Sequence, residues 1–293
     1  MTEIVLTFLS GVIVTIVGGI LTNALYERLK NRIVVRRIST NSDDDLDGFL
    51  DLYERLFPEN ERSTPDTFVR WLDEYRNTPR VSLSGNMFYL IIAKLGKQVV
   101  GTLSFDYRAK NGFVFINFIG VDKHVLPEHE NERRFISSTL LKRFDAIIGK
   151  ECKDAKAIFF EIDAPNPKLG RADNRAAIAK VFLYKEWARK RGYTLYRVPI
   201  QYVFPKLSVD EELAYQEDNK QLLFIPYRRH GGPSAVYISK QQLLTILESV
   251  YLEWYGTSYM TDHRMQKQYQ DYLVSIVKRY IETLPEMSRL ERC

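Results

Sequence analysis

The fold is decided by one stretch of the chain, Phe113–Val121, which reads FVFINFIGV. This apolar run predicts a strand, and a polar turn over residues 122–131 follows it. Apolar residues then recur at helical spacing from Glu132 to Phe144, so the turn leads into a helix. A helix N-terminus carries unpaired N–H groups and a positive dipole end, and Arg133 and Arg134 add formal charge to it. The strand, turn and helix together predict an anion-binding site.

The composition is that of a folded domain, since 45% of the 293 residues are hydrophobic and 13% are aromatic. Much of the formal charge of +5 comes from a basic cluster between residues 28 and 37, directly after an apolar segment. We interpret that cluster as a membrane-topology signal and expect no nucleic-acid partner. Cys152 and Cys293 lie far apart, and the histidines lack the spacing of metal ligands, so we expect no metal site.

Residues 4–25 are nearly all apolar and are long enough to cross a hydrocarbon core of about 30 Å as a helix. A cleaved signal peptide is the alternative, but the first residues carry no basic charge and no clear cleavage site follows. The basic cluster after this segment predicts a single-pass anchor in the inner cell membrane, with the following domain on the cytoplasmic side. Gly11, Thr15 and Gly19 form a stripe of small residues, which predicts contact between two such helices and hence a homo-oligomer.

The remaining chain alternates between strand and helix patterns. A strand at 33–38 and two helices, at 42–56 and 64–75, precede a three-stranded meander that ends at Val121. After the helix that opens at Glu132, the patterns predict a strand at 157–162, a helix at 174–190, strands at 194–204 and 221–227, and tail helices at 240–254 and 262–284. We therefore divide the chain into an anchor (1–27), an α/β domain (33–230) and a C-terminal helical extension (231–293).

Several short motifs of the α/β domain, in this order, resemble the GNAT superfamily of acyl-CoA-dependent N-acyltransferases. They are QVVGTL at 98–103, FIGV at 118–121, STLL at 138–141, FEIDAP at 160–165, WARKRGY at 187–193 and YVFPKL at 202–207. The resemblance covers about residues 33–228. It implies a mixed central sheet flanked by helices, acetyl-CoA or another acyl-CoA as co-substrate, and transfer of the acyl group to an amine acceptor of unknown identity.

The resemblance also implies roles for particular residues. The strand before the turn is expected to separate from the strand at 157–162, so that the backbone from Ile119 to Val121 binds the pantetheine arm. The diphosphate is expected at the following helix N-terminus, where Arg133, Arg134 and Ser137 are the candidate contacts.

Transfer needs an uncharged amine, and Glu161 is the first candidate for the general base, with Asp163 as the second. The family's thiolate-protonating tyrosine corresponds to Ala188 here, so Tyr184, one turn earlier, or Tyr193 is the candidate acid.

Some residues depart from the family pattern and keep other functions open. Phe135 and Ser137 occupy the two positions where the family's diphosphate loop has small residues. A GNAT-like binding or sensing module without transfer activity, or a membrane-anchored oligomeric scaffold, is therefore the alternative to a transferase. Structural roles are the alternative for the site residues: Glu161 and Asp163 as partners of Arg171 or Arg175, and Tyr184 as core.

Overall fold

The computed structural model describes residues 32–57, 63–76, 86–124, 130–165, 170–203, 205, 220–227, 237–256 and 263–293. The strands are β1 (Ile33–Ile38), β2 (Met87–Leu95), β3 (Gln98–Arg108), β4 (Phe113–Val121), β5 (Ala157–Asp163), β6 (Tyr196–Arg197), β7 (Lys220–Pro226), β8 (Tyr237–Ser239), β9 (Met287–Arg289) and β10 (Glu291–Arg292). The helices are α1 (Leu46–Leu56), α2 (Pro65–Arg76), α3 (Glu130–Glu151), α4 (Arg171–Arg189), α5 (Lys240–Glu248), a π-helix (Ser249–Tyr255) and α6 (His263–Thr283).

One mixed sheet organises the chain, with eight strands in the order β1-β2-β3-β4-β5-β7-β6-β10. Neighbouring strands of this sheet are antiparallel except β4 and β5, which run parallel. This confirms the expected α/β class with a large mixed sheet flanked by helices. Strands β8 and β9 form a separate two-stranded sheet.

The alternation of side chains along the strands gives the sheet two apolar faces. One face packs against α3 and α4 through residues such as Ile91, Phe105 and Phe144. On the opposite face, α1 and α2 cover the half around β2, where Phe49 and Phe88 are buried. The C-terminal helices cover the other half of that face around β4, β5 and β7. The tail of the chain therefore belongs to the packing of the sheet.

Strands β4 and β5 are joined at one end and separate at the other. They pair from Phe113 with Ala157 to Ile116 with Phe160. Beyond that point, among the residues that the structure describes, each strand pairs only with its outer neighbour. A β-bulge contributes to the separation, because Phe118 pairs with Ser104 and Ile116 pairs with Phe105, which leaves Asn117 as the extra residue of β4.

At the joined end, Gly112 at φ +70° accepts a backbone hydrogen bond of 2.6 Å from the N–H of Lys156. The strand pair is thus held at this base and opens away from it.

Three parts of the predicted secondary structure need correction. The C-terminal extension, predicted to be helical, also contains the strands β8, β9 and β10. Of the strand expected at 194–204, the described residues 194–203 show strand only at Tyr196–Arg197. Pro199 lacks an N–H group to donate to the sheet, and the chain turns there, with the N–H of Ile200 donating to the carbonyl of Val198. The helix expected at 240–254 changes from α-helix to π-helix at Ser249.

The predicted anchor at residues 4–25, with its stripe of small residues, lies outside the described residues. Within the described ranges, none of the helices has both the length and the apolar composition needed to span a bilayer.

Candidate functional site

A pocket of about 120 Å³ lies where β4 and β5 separate. Residues 116–119 of β4 form one side, and residues 161–163 of β5 form the other. Lys180 and Tyr184 of α4 line it from one face of the sheet. From the other face it is lined by Tyr53 of α1, Phe57 directly after α1, and Trp71 of α2. Trp254 and Tyr255 of the π-helix line it from that face as well. The pocket therefore passes through the opening in the sheet and is bordered by elements from both faces.

The β4 side of the pocket offers backbone as well as side chains. Ile119, the first predicted backbone contact of the cofactor arm, lines the pocket and is half-buried. Val121, the second predicted backbone contact, pairs with Gly101 at the end of β4 and is not among the lining residues. Because β5 pairs with β4 only up to Ile116, the edge of β4 that faces β5 beyond this residue is open to an extended ligand.

Glu161 lies on β5 at the opening and lines the pocket. Its Oε2 atom accepts a hydrogen bond of 2.6 Å from the hydroxyl of Tyr255. A hydrogen bond donated to a carboxylate favours the charged form of that carboxylate. The predicted alternative partners of Glu161 were Arg171 and Arg175, whereas the structure brings a tyrosine from the π-helix to this carboxylate.

Asp163 also lines the pocket, but it is enclosed by two lysines. Its carboxylate lies 3.0 Å from Nζ of Lys180 and 3.1 Å from Nζ of Lys220. Burial raises the pKa of Asp163, but the charges and hydrogen bonds of Lys180 and Lys220 outweigh burial and hold the pKa below its usual value. Two cations hold Asp163 in its charged form and make it a weak proton acceptor, whereas the donor described for Glu161 is an uncharged hydroxyl. Glu161 is therefore the better candidate base.

Tyr184 is 3% exposed and stacks on Phe160, with ring centroids 4.2 Å apart. It belongs to the core beneath α4 and also lines the pocket, so its structural role is present and its role as an acid stays a prediction. Burial raises the pKa of Tyr184 well above its ordinary value, and its hydroxyl therefore keeps its proton at neutral pH. Tyr193, the other candidate acid, instead packs against Tyr227 and does not line the pocket.

The predicted diphosphate contacts lie near the start of α3 and do not line the pocket. Arg134 is exposed, while Arg133 and Ser137 are half-buried. Phe135 is half-buried and is not a lining residue either, so it does not fill the opening between β4 and β5. Residues 125–129 of the preceding turn lie outside the described part of the chain.

A buried polar row extends from the pocket along β3. Asn117 lines the pocket and donates to the hydroxyl of Ser104 at 3.0 Å. Asp106, two residues further on, accepts a hydrogen bond of 3.1 Å from the indole N–H of Trp254 and lies 3.7 Å from the guanidinium of Arg108. Burial raises the pKa of Asp106, although the charge of Arg108 and the hydrogen bonds from Asn117 and Trp254 lower it.

Trp254 and Tyr255 were not predicted as site residues. Aromatic residues recur in the predicted tail helices, and most of them are buried against the sheet. Helical spacing alone could not identify which two of these rings reach the pocket. Within the described residues, no group of three His, Cys, Asp or Glu side chains is arranged to hold a metal ion.

No protein-family model and no curated protein matches the chain. Solved structures similar to it include an acetyltransferase described as GNAT family from Bacteroides thetaiotaomicron, with 15% identity, a TM-score of 0.47, and coverage of 76% of this chain and 99% of that one. They also include the ribosomal-protein-S18-alanine N-acetyltransferase from Escherichia coli, with 15% identity, a TM-score of 0.39, and coverage of 70% of this chain and 99% of that one.

Proposed function

We propose that the chain is an acyl-CoA-dependent N-acyltransferase that moves an acetyl or related acyl group to a primary amine. One observation carries the proposal: the parallel strands β4 and β5 separate over a pocket that contains Glu161. An opened parallel pair gives an extended ligand a free backbone edge, and the adjacent carboxylate gives the amine a proton acceptor.

The open edge of β4 suits the pantetheine arm of the co-substrate. That arm carries amide groups, which can take the place of a strand beside Ile119. The N-terminus of α3 lies beyond the end of β4, and its dipole and the charges of Arg133 and Arg134 favour the diphosphate. These two interactions would hold the thioester in the pocket, close to Glu161.

In the transfer step, the amine nitrogen attacks the thioester carbonyl carbon, and a C–N bond forms as the C–S bond breaks. Glu161 takes the proton that the amine loses, directly or through a water molecule. The hydroxyl of Tyr184 donates a hydrogen bond to the departing thiolate, which leaves as the CoA thiolate, while the proton taken from the amine stays on Glu161 until it passes to water. Because burial raises its pKa, Tyr184 stabilises the thiolate by this hydrogen bond and keeps its own proton.

Membrane anchoring is part of the same proposal. The support is the apolar run at residues 4–25 and the basic cluster that follows it. In this arrangement the transferase domain works at the cytoplasmic surface of the inner membrane.

The test measures acetyl-CoA binding by calorimetry and CoA release with a thiol reagent, using the full chain and a panel of primary amines. Glu161→Gln should bind acetyl-CoA within twofold of wild type but lose about 10²- to 10⁴-fold of the transfer rate. Glu186→Gln is the matched control, because Glu186 pairs with Arg189 on α4, away from the pocket.

A wild-type protein that fails to bind acetyl-CoA at millimolar concentration would refute the proposal. Binding with no transfer to any amine would favour the sensing module, for which the departures at Phe135 and Ala188 argue.

A further inference from the structure

The C-terminal residues supply one side of the pocket. Trp254 and Tyr255 line it opposite Tyr53 and Trp71, and all four rings lie on the sheet face away from α3 and α4. The proposed acyl-CoA arm lies along β4 and is anchored at α3. The side of the pocket that these four rings form, which we call the aromatic side, is therefore left for the acceptor.

The π-helix determines how these two rings are presented. Trp254 and Tyr255 are consecutive, and both are buried and line the pocket. Each donates a hydrogen bond to a different carboxylate of the sheet: the Trp254 N–H to Asp106 at 3.1 Å, and the Tyr255 hydroxyl to Glu161 at 2.6 Å. Trp254 also stacks on Phe115, with ring centroids 5.3 Å apart and planes 10° from parallel. Irregular helical turns of this kind occur frequently at functional sites.

Among the residues that the structure describes, the charged side chains that line the pocket are Glu161, Asp163, Lys180 and Lys220, and their formal charges cancel. A lining of this kind gives no excess negative charge to attract a polycation, whereas aromatic faces beside one carboxylate suit a single ammonium group. The volume of about 120 Å³ is of the same order as the ~150 Å³ of an apolar cavity that holds benzene, so the part of the acceptor that the pocket encloses is no larger than about one ring.

We infer that the C-terminal extension forms the acceptor side of the pocket, and that the acceptor is a small monocationic primary amine on an apolar body of about one ring. Tyr255 is a positioning residue that holds the Glu161 carboxylate towards this amine. The inference rests on the proposed N-acyltransferase function.

The experiment uses the full chain with acetyl-CoA and compares 2-phenylethylamine with ethylamine and spermidine through CoA release. We expect kcat/KM for 2-phenylethylamine to exceed the values for both other amines by tenfold or more, because only its ring uses the aromatic side. An equal or higher value for spermidine would overturn the acceptor class. If spermidine is acetylated and acetyl-CoA binds, the transferase proposal survives that result; if acetyl-CoA does not bind, the transferase proposal itself fails.

The role of Tyr255 is tested with Tyr255→Phe, which keeps the ring and removes the hydroxyl. We expect KM for the amine to stay within twofold and kcat to fall roughly tenfold, because the Glu161 carboxylate loses the donor that orients it. Tyr251→Phe is the control, because it removes a hydroxyl of the same π-helix outside the pocket lining, which donates at 2.6 Å to the carbonyl of Val203 and lies 3.4 Å from the hydroxyl of Tyr280. An equal fall in kcat for the two variants, or a rise in KM in place of the fall in kcat for Tyr255→Phe, would refute the positioning role.

Discussion

The joined end of the β4–β5 pair depends on a glycine, and replacing it makes a quantitative test of the fold. Gly112 has φ +70°, and a Cβ atom placed on it would lie 2.4 Å from the backbone carbonyl oxygen of Asp154. Gly96 has a similar φ of +63°, but a Cβ there would meet nothing within 4 Å. Alanine at either position takes on the strain of the left-handed region, and only alanine at position 112 collides with backbone.

An alanine with left-handed backbone angles destabilises the folded state by about 1–2 kcal/mol. Alanine also reduces the conformational entropy of the unfolded chain, which offsets about 0.4–1 kcal/mol of that loss. Gly96→Ala should therefore lower the free energy of unfolding by about 1 kcal/mol. Gly112→Ala must also move the chain away from Asp154. This displaces the 2.6 Å bond from the N–H of Lys156 and the 2.9 Å bond from the Gly112 N–H to Arg108. Each displaced bond adds about 1 kcal/mol to the net backbone strain of about 1 kcal/mol, so Gly112→Ala should lower the free energy of unfolding by about 3 kcal/mol.

Urea unfolding followed by tryptophan fluorescence gives both values on the same protein background. The free energies of unfolding of the two variants should differ by about 2 kcal/mol. This difference measures the effect of the collision at position 112, because the backbone strain is common to both variants. Equal losses for Gly112→Ala and Gly96→Ala would show that the base of the strand pair is not as tightly closed as we describe.

Two further predictions concern buried charge. Asp106→Asn should lower the free energy of unfolding by about 3–5 kcal/mol, because it leaves Arg108 buried without a countercharge, and adding Arg108→Met should recover part of the loss. A double-mutant cycle checks this, and additive losses would contradict it. For Asp45, burial raises the pKa, but hydrogen bonds from Lys94 and Arg36 and their charges lower it by more. The stability from this carboxylate is present above the unfolded pKa of about 3.9 and is lost as pH falls through the lower folded value. Thermal melts from pH 7 to pH 2 should therefore show a weaker acid dependence for Asp45→Asn than for wild type, and an unchanged dependence would exclude the ion-pair explanation.

The order of strands and helices could be predicted from the sequence because periodicity is a local property. The patterns around Phe113–Val121, the strand carrying Glu161 and the helix carrying Tyr184 all predicted elements that the structure contains. The failure at 194–204 has a local cause as well, in Pro199. The change to a π-helix at Ser249 could not be predicted, since an apolar stripe at helical spacing is compatible with either helix type over so few residues.

The sequence by itself determined which face of each element is apolar and hence the layers of the fold, because alternation and helical spacing are set by backbone geometry. It also determined that Glu161 and Asp163 follow one another on the same side of a strand. Only the tertiary structure decided how these two carboxylates differ. The partner of Glu161 is Tyr255, 94 residues away, while Lys180 and Lys220 come from two other elements to neutralise Asp163. Periodicity shows that a side chain is buried but not which distant segment covers it, so the side of the pocket that Trp254 and Tyr255 form appears only when the C-terminal helices pack on the sheet.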